Sequence, residues 1–321
     1  EGSDAARPRT RSLDLAGLAC RKASTPVQRA VEGLGGHLCK GVAMPWGEEV
    51  AEVAPGILFR HHRRDCFAHF REIFGISEPE YQRSLGSLEG GTTQSSGKSG
   101  SLFFFSQDRR YVLKTISEGE RDKLLDMFPA YVQHFEDAAA AGRQCLLSRL
   151  FGLYSLGPGP APRKEAGGRA LHLLVMDNVF SGAWPDRIYD LKGTTEDRFV
   201  EPSPGRVLKD LNFDGSRLCL PEEQATALLE AIRLDTEFLE DENIMDYSLI
   251  LGVFDGGLPA EATGSRGAVA GSEWVDDELR PAAFRMAIID VLISWTLRKR
   301  AAHWLKKPTL GCCHEIDTEP P

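Results

Sequence analysis

Apolar positions along this chain recur with two periods, and the switches between them mark its elements. Cys66, Phe67, Phe70, Ile73 and Phe74 share one helical face and stop before Gly75, which predicts a helix ending there. Leu88 to Gly100 reads as a polar turn region. Leu102 to Phe105 and Tyr111 to Ile116 are short apolar runs around Ser106-Gln107-Asp108-Arg109, the composition of a hairpin. Ser117 with Glu120 three places on is a capping-box signature, and Leu124, Phe128, Val132 and Phe135 give the helix behind it an apolar stripe. Leu146 to Leu156 and Leu171 to Met176 read as two more strands, joined by a Pro/Gly-rich stretch at 157–168. Antiparallel strands with helices on one side predict a small α+β lobe.

A larger lobe is expected from Asp177 onward. Pro221-Glu222-Glu223 opens a helix, with proline in its first turn and acids at its positive end. Ala225, Leu228, Leu229, Ile232 and Leu239 are expected to form its buried face. Tyr247 to Phe254 is strand-like, Asp255 to Ser272 an exposed excursion, and Ala287 to Leu292 a short apolar strand. Thr296 to Leu305 reads as a basic amphipathic helix or loop. The expected organisation is a flexible lead-in over 1–50, a small lobe over 51–176 with a glycine-rich loop, and a large lobe over 177–321. The chain stops at Thr318-Glu319-Pro320-Pro321 without a closing helix, so its C-terminus is read as incomplete.

The formal charge of -9 argues against broad nucleic-acid binding. It leaves an anionic membrane open as a partner, because local clusters matter more than the total. Arg60-His61-His62-Arg63-Arg64 is one such cluster, with a solvated face as its plain reading. Arg298-Lys299-Arg300 with Lys306-Lys307 is the other. No run approaches the roughly 20 apolar residues that cross a bilayer, and no signal-peptide core opens the chain. Seven cysteines without a repeating spacing suggest free thiols in a reducing compartment. Cys312-Cys313-His314 lacks the second pair that a tetrahedral zinc site needs.

Four separated segments carry candidate chemistry. Gly97-Lys98-Ser99-Gly100-Ser101 is not a Walker A loop, because the glycine required five places before Gly97 is Thr92, and a strand follows rather than a helix. A glycine turn followed by a lysine on the next strand, here Lys114, is the protein-kinase manner of holding nucleotide phosphates. A flexible hairpin end with a surface lysine is the plainer alternative. Asp190-Leu191-Lys192-Gly193-Thr194-Thr195 sets a lysine beside a glycine, and alone reads equally as a capped turn. Asn243-Ile244-Met245-Asp246-Tyr247-Ser248 puts an acid between a long helix and a strand, where a kinase catalytic aspartate sits. Asp290, flanked by Ile288, Ile289, Val291 and Leu292, reads as a carboxylate in an apolar strand, costly to bury unless paired or metal-bound. Together they supply what phosphoryl transfer asks of a protein: groups for the phosphates, a carboxylate near the attacking hydroxyl, and another for Mg²⁺.

With these segments in order, the chain resembles the catalytic domain of phosphatidylinositol phosphate kinases from about Phe59 onward. The matching runs are Phe70 to Ile76, Gly97 to Leu102, Val112 to Ile116, Arg149 to Tyr154, Asp190 to Thr194, Phe238 to Glu240, Asn243 to Leu249 and Ile288 to Asp290. The resemblance implies a two-lobed kinase-like α+β fold: an antiparallel sheet in the N-lobe, a mixed α/β C-lobe, and the nucleotide between them. It implies ATP and Mg²⁺ as cofactors. Lys114 and Lys192 would contact phosphates, Asp246 would be the catalytic aspartate, and Asp290 would hold the metal. Gly97, Ser99, Gly100 and Ser101 would line the nucleotide flap, Met176 and Asn178 would lie at the interlobe hinge, and Glu120 is a candidate partner for Lys114. Arg298, Lys299, Arg300, Ala302, Lys306 and Lys307 fall in the segment that reads the lipid and meets the membrane. The substrate would be a phosphatidylinositol monophosphate and the product the 4,5-bisphosphate. Members acting on the 5-phosphate lipid have alanine where Ala302 stands, whereas the acidic run from Phe238 to Asn243 is more similar to those acting on the 4-phosphate lipid. The 4-phosphate 5-kinase is the leading expectation. A 5-phosphate 4-kinase and a weakly catalytic phosphoinositide-binding scaffold are the alternatives. A protein-serine kinase is disfavoured, since no His-Arg-Asp or Asp-Phe-Gly run occurs. The implied place is cytoplasmic, peripheral on the cytosolic face of membranes, and the small lobe's outer helices could support a homodimer.

Overall fold

A computed structural model of the protein describes residues 42–43, 49–54, 57–94, 101–158, 170–213, 217–257, 268–275 and 278–294. The first sheet comprises β1 (Val42–Ala43), β2 (Glu49–Ala54), β3 (Ile57–His61), β4 (Leu88–Gln94), β5 (Leu102–Ser106), β6 (Tyr111–Ile116), β7 (Leu150–Pro158) and β8 (Leu171–Asp177). Its order is β1-β2-β3-β7-β8-β6-β5-β4, with antiparallel neighbours throughout. The second comprises β9 (Arg187–Leu191), β10 (Leu208–Lys209), β11 (Arg217–Cys219), β12 (Ser248–Asp255), β13 (Ala268–Val275) and β14 (Glu278–Ile289). Here the order is β10-β9-β12-β14-β13-β11, and only the β10–β9 pair is parallel. The fold is therefore α+β with two lobes, one antiparallel and one mixed.

The helices are α1 (Arg64–Ile73), α2 (Glu78–Leu85), α3 (Glu118–Ala140) and α4 (Glu222–Asp241). The Ser117–Glu120 capping box forms as expected at the start of α3. Helix α1 stops at Gly75, whose φ of 65° suits a residue without Cβ; Gly75 N and Ile76 N close back on Glu72 O and Arg71 O. Asn243 ends α4 the same way at φ 53°, with Asn243 N to Glu240 O at 2.9 Å and Ile244 N to Leu239 O at 2.8 Å. The buried faces of α1 and α3 meet in an aromatic cluster of Phe67, Phe70, Phe128, Tyr131 and Phe135 against Phe151 of β7.

Several contacts fasten the two lobes to each other. Residues 146–148 run beside the end of β14, with Ile288 N to Leu146 O at 2.7 Å and Ser148 N to Ile288 O at 2.8 Å. Helix α3 packs on α4, where His134 Nε2 meets Asp235 Oδ1 at 2.6 Å and the His134 ring stacks on Phe238. Asp235 is fully buried and also accepts from Leu146 N at 2.5 Å. Lys123 Nζ reaches Glu242 at 3.0 Å.

Several sequence expectations need correction, among them Leu229, which stands 66% exposed on α4 and not on its buried face. Leu88–Gln94 is a strand paired with β5, so the glycine-rich stretch connects two neighbouring strands. Leu146 to Arg149 lies outside β7 because its backbone bonds go to β14 of the other lobe and to Asp177. Ala268–Ser272 belongs to β13 rather than to an exposed excursion, and β14 begins at Glu278, well before Ala287. Asp290 stands just past the strand, not within it. In the basic run, Arg60 is exposed and His61 buried, because β3 turns successive side chains to opposite faces of the sheet. His62, just past the strand, is buried against β7, with its amide on Leu153 O and its ring on Ser155 Oγ. The lead-in to residue 41 and the stretch Thr296 to Leu305 lie outside the described residues.

Candidate active site

Three adjacent strands bring the candidate residues to one edge of the second sheet. Leu191 of β9 pairs with Leu249 of β12, and Ser248 of β12 pairs with Ile289 of β14. Lys192 follows β9, Asp246 lies two places before β12, and Asp290 follows β14. Neighbouring strands are about 4.8 Å apart, so residues distant in sequence converge there. The Asp246 loop is fixed on both sides: the α4 cap precedes it, and Met245 N donates to Ile293 O at 2.8 Å.

Lys114 arrives from the other lobe. It sits in β6 between Phe103 of β5 and Leu174 of β8, and its Nζ reaches Asp290 Oδ1 at 2.7 Å. Lys192 Nζ reaches Asp246 Oδ1 at 2.5 Å and also donates to the Asp246 carbonyl at 2.7 Å. The site thus holds two cross-lobe or cross-strand lysine–aspartate pairs. Lys114 is 12% exposed against 39% for Asp290, and Lys192 21% against 51% for Asp246, so each carboxylate faces solvent more than its lysine does. Both aspartates have left-handed backbones, Asp246 at φ 63° and Asp290 at φ 62°. For residues other than glycine that conformation costs on the order of 1 kcal/mol, and such strain gathers at functional sites.

The glycine-flap residues Gly97, Ser99 and Gly100 lie outside the described residues, as do Arg298, Lys299, Arg300, Ala302, Lys306 and Lys307. Ser101 is buried at the start of β5, next to the Leu102 N to Thr115 Oγ1 bond of 2.8 Å. Met176 is half-buried at the end of β8, opposite Val112. The Asn178 carboxamide donates to Arg109 O at 2.7 Å and accepts from Phe180 N, tying the end of β8 to the β5–β6 turn. Glu120 closes the α3 capping box, while Lys114 pairs with Asp290; the expected Glu120–Lys114 partnership is absent among the described contacts.

Asp210 and Arg198 were not visible as site residues in the sequence. Asp210 Oδ1 accepts from Lys192 N at 2.9 Å and Gly193 N at 2.8 Å, and Oδ2 accepts from Arg198 Nε at 2.7 Å. Burial alone would raise the Asp210 carboxyl; Arg198 and the two amides outweigh it and hold it below its ordinary value. Arg198 continues to the Asp190 carbonyl and to Asp190 Oδ1 at 3.2 Å. Only the Asp-Leu-Lys-Gly turn itself, needing an acceptor for two adjacent amides, hinted at such a partner. One other group among the described residues has metal-ligand chemistry: His134, Cys145 and Asp235 at the α3–α4 junction. There the Asp235 oxygens already accept from His134, Arg143 and Leu146 N.

The family described as Phosphatidylinositol-4-phosphate 5-Kinase matches residues 90–273. The chain is 37% identical over 196 residues to phosphatidylinositol 4-phosphate 5-kinase-like protein 1 of Homo sapiens, covering 58% of this chain and 46% of that protein. It is 33% identical over 194 residues to phosphatidylinositol 4-phosphate 5-kinase 3 of Arabidopsis thaliana, with coverage of 58% and 26%. Against phosphatidylinositol 4-phosphate 5-kinase 9 of the same plant it is 36% identical over 207 residues, with coverage of 60% and 24%. The chain spans between about a quarter and a half of the length of these relatives. The match covers more than half of the chain and falls on a two-lobed α+β frame, so the protein belongs to the phosphatidylinositol-4-phosphate 5-kinase family.

Proposed function

We propose that this chain transfers the γ-phosphoryl group of ATP to a ring hydroxyl of a phosphatidylinositol monophosphate, yielding the 4,5-bisphosphate. The observation that carries the reading is the meeting of Lys114 with Asp290 across the lobes, beside Lys192 and Asp246. Cations there suit phosphate oxygens, and hard carboxylate oxygens suit Mg²⁺. Asp290 would hold the metal, which when bound supplies neutralisation of phosphate charge. Lys114 and Lys192 turn from their aspartates to the phosphates. Asp246 orients the inositol hydroxyl and accepts its proton as the hydroxyl oxygen bonds to the γ-phosphorus and the bond to ADP breaks. Met176, Asn178, Gly97, Ser99, Gly100 and Ser101 complete the nucleotide side in this reading.

The names of the relatives favour the 4-phosphate lipid and its 5-hydroxyl. Ala302 favours the 5-phosphate lipid, and keeps that as the second reading. The basic residues Arg298, Lys299, Arg300, Lys306 and Lys307 suit an anionic cytosolic membrane surface, each worth about 1 kcal/mol near it. No described helix is long and apolar enough to cross a membrane. A homodimer through the outer helices of the small lobe belongs to the same reading. Labelled-phosphate transfer to vesicles carrying each of the three monophosphates tests the proposal. Asp246→Asn should lose about 10² to 10⁴ in rate, and equal turnover by this variant would remove Asp246 from the reaction.

A further inference from the structure

We infer that Asp210 is a positioning residue for Lys192, acting through the backbone of the Lys192–Gly193 turn rather than through any contact with substrate. The inference rests on the proposed function for what Lys192 does, and on geometry alone for how Lys192 is held. One carboxylate oxygen collects two consecutive amides, Lys192 N and Gly193 N, at 2.9 and 2.8 Å. Gly193 then turns at φ 69°, a conformation that a side chain would strain. The turn launches the lysine side chain across to Asp246, where its Nζ makes the 2.5 and 2.7 Å contacts.

The carboxylate is itself held. Arg198 Nε meets its other oxygen at 2.7 Å, and the Arg198 side chain is 10% and that of Asp210 13% exposed. Asp210 lies in a short 3-10 turn, Asp210–Asn212, that follows β10, the strand paired in parallel with β9. The pairing of Lys209 with Asp190 keeps this turn beside the end of β9. Asn212 locks its far side, accepting from Val200 N and donating to Val200 O. Each link fixes the next, so the direction of Lys192 is set by a residue 18 places away in the chain. A group acting in phosphoryl transfer must be held closely, and a misplacement of about 1 Å can cost about a hundredfold in rate.

Asp210→Ala removes the acceptor. Asp210→Asn keeps one oxygen for the two amides but loses the charge that faces Arg198, and serves if the alanine variant does not fold. Hydrogen exchange at the Lys192 and Gly193 amides should speed up in Asp210→Ala and change less in Asp210→Asn. Transfer to lipid vesicles should fall about tenfold to a hundredfold in kcat for Asp210→Ala, with a smaller change in KM for ATP. Combined with Lys192→Ala, the second substitution should add almost nothing, because both remove the same lysine from its place. A purely structural role predicts multiplied losses, and that result would overturn the inference. So would unchanged exchange at the two amides, or kcat within twofold of the parent for Asp210→Ala while Lys192→Ala is impaired. If Lys192→Ala alone transfers normally while Asp210→Ala still frees the amides, the failure is that of the proposed role of Lys192, and the Asp210 contact stands.

Discussion

Acidification from pH 7 to pH 5 should remove about 2 kcal/mol of stability through His61 alone. His61 ends β3, is 4% exposed, and lies against Tyr154 with ring centroids 4.5 Å apart. Its Nε2 is buried with no hydrogen-bond partner among the described residues. Burial, then the charges of Arg71, Arg64 and His62, push its pKa down from 6.5 to about 3. Between those values the unfolded chain binds a proton that the folded chain refuses. Stability is therefore complete above pH 6.5 and falls as pH drops toward 3, at up to about 1.4 kcal/mol per unit. Integration from 7 to 5, with the rounded shoulder near 6.5, leaves about 2 kcal/mol, a large part of a typical 5–15 kcal/mol. Urea unfolding at stepped pH measures this, with His61→Phe as the comparison. Phenylalanine keeps a flat ring against Tyr154 and cannot titrate. The variant should lose about 2 kcal/mol less than the parent over the same interval. His172, whose pKa burial also lowers, is common to both proteins and cancels in the difference. Equal losses would show that His61 is not held neutral by its surroundings.

Two further outcomes follow from packing. A Cβ on Gly252 of β12 would lie 2.5 Å from Phe180 Cε1 and 3.0 Å from Pro185 Cγ. Gly252→Ala should therefore destabilise by about 1–3 kcal/mol, read as a lower urea midpoint; an unchanged midpoint would mean that the Phe180 ring yields freely. Asp235→Ala leaves the Leu146 amide without its acceptor and His134 without its interlobe partner. A loss of about 2 kcal/mol is expected, with faster hydrogen exchange at Leu146, and an unprotected Leu146 amide in the parent protein would contradict the contact.

Local signals in the sequence carried the elements whose causes are local. Ser117 and Glu120 announced α3, Pro221-Glu222-Glu223 announced α4, and Ser106 to Arg109 announced the β5–β6 turn, because caps and turns depend on side chains within a few residues of the backbone they satisfy. Strands were read less well. β4 is rich in Gly and Thr and looks like a turn until β5 pairs with it, and the boundaries of β7 and β14 depend on which chain segment meets them. The basic run at Arg60–Arg64 gave no sign that its two histidines are core residues, since that follows from the sheet face that His61 takes and from the packing of His62 against Leu153 and Ser155.

The inventory of the cleft was written in the linear chain: two lysines, each beside residues that shape a turn or strand, and two acids at strand ends or near them. Their pairing was not. Lys114 meets Asp290 across 176 positions and Lys192 meets Asp246 across 54, because sheet order sets β9, β12 and β14 side by side and the interlobe contacts hold β6 over them. Residue chemistry and short-range turn signals act within a few bonds of the backbone, whereas a carboxylate such as Asp210 acquires its role from whichever distant amides the fold brings within hydrogen-bond reach.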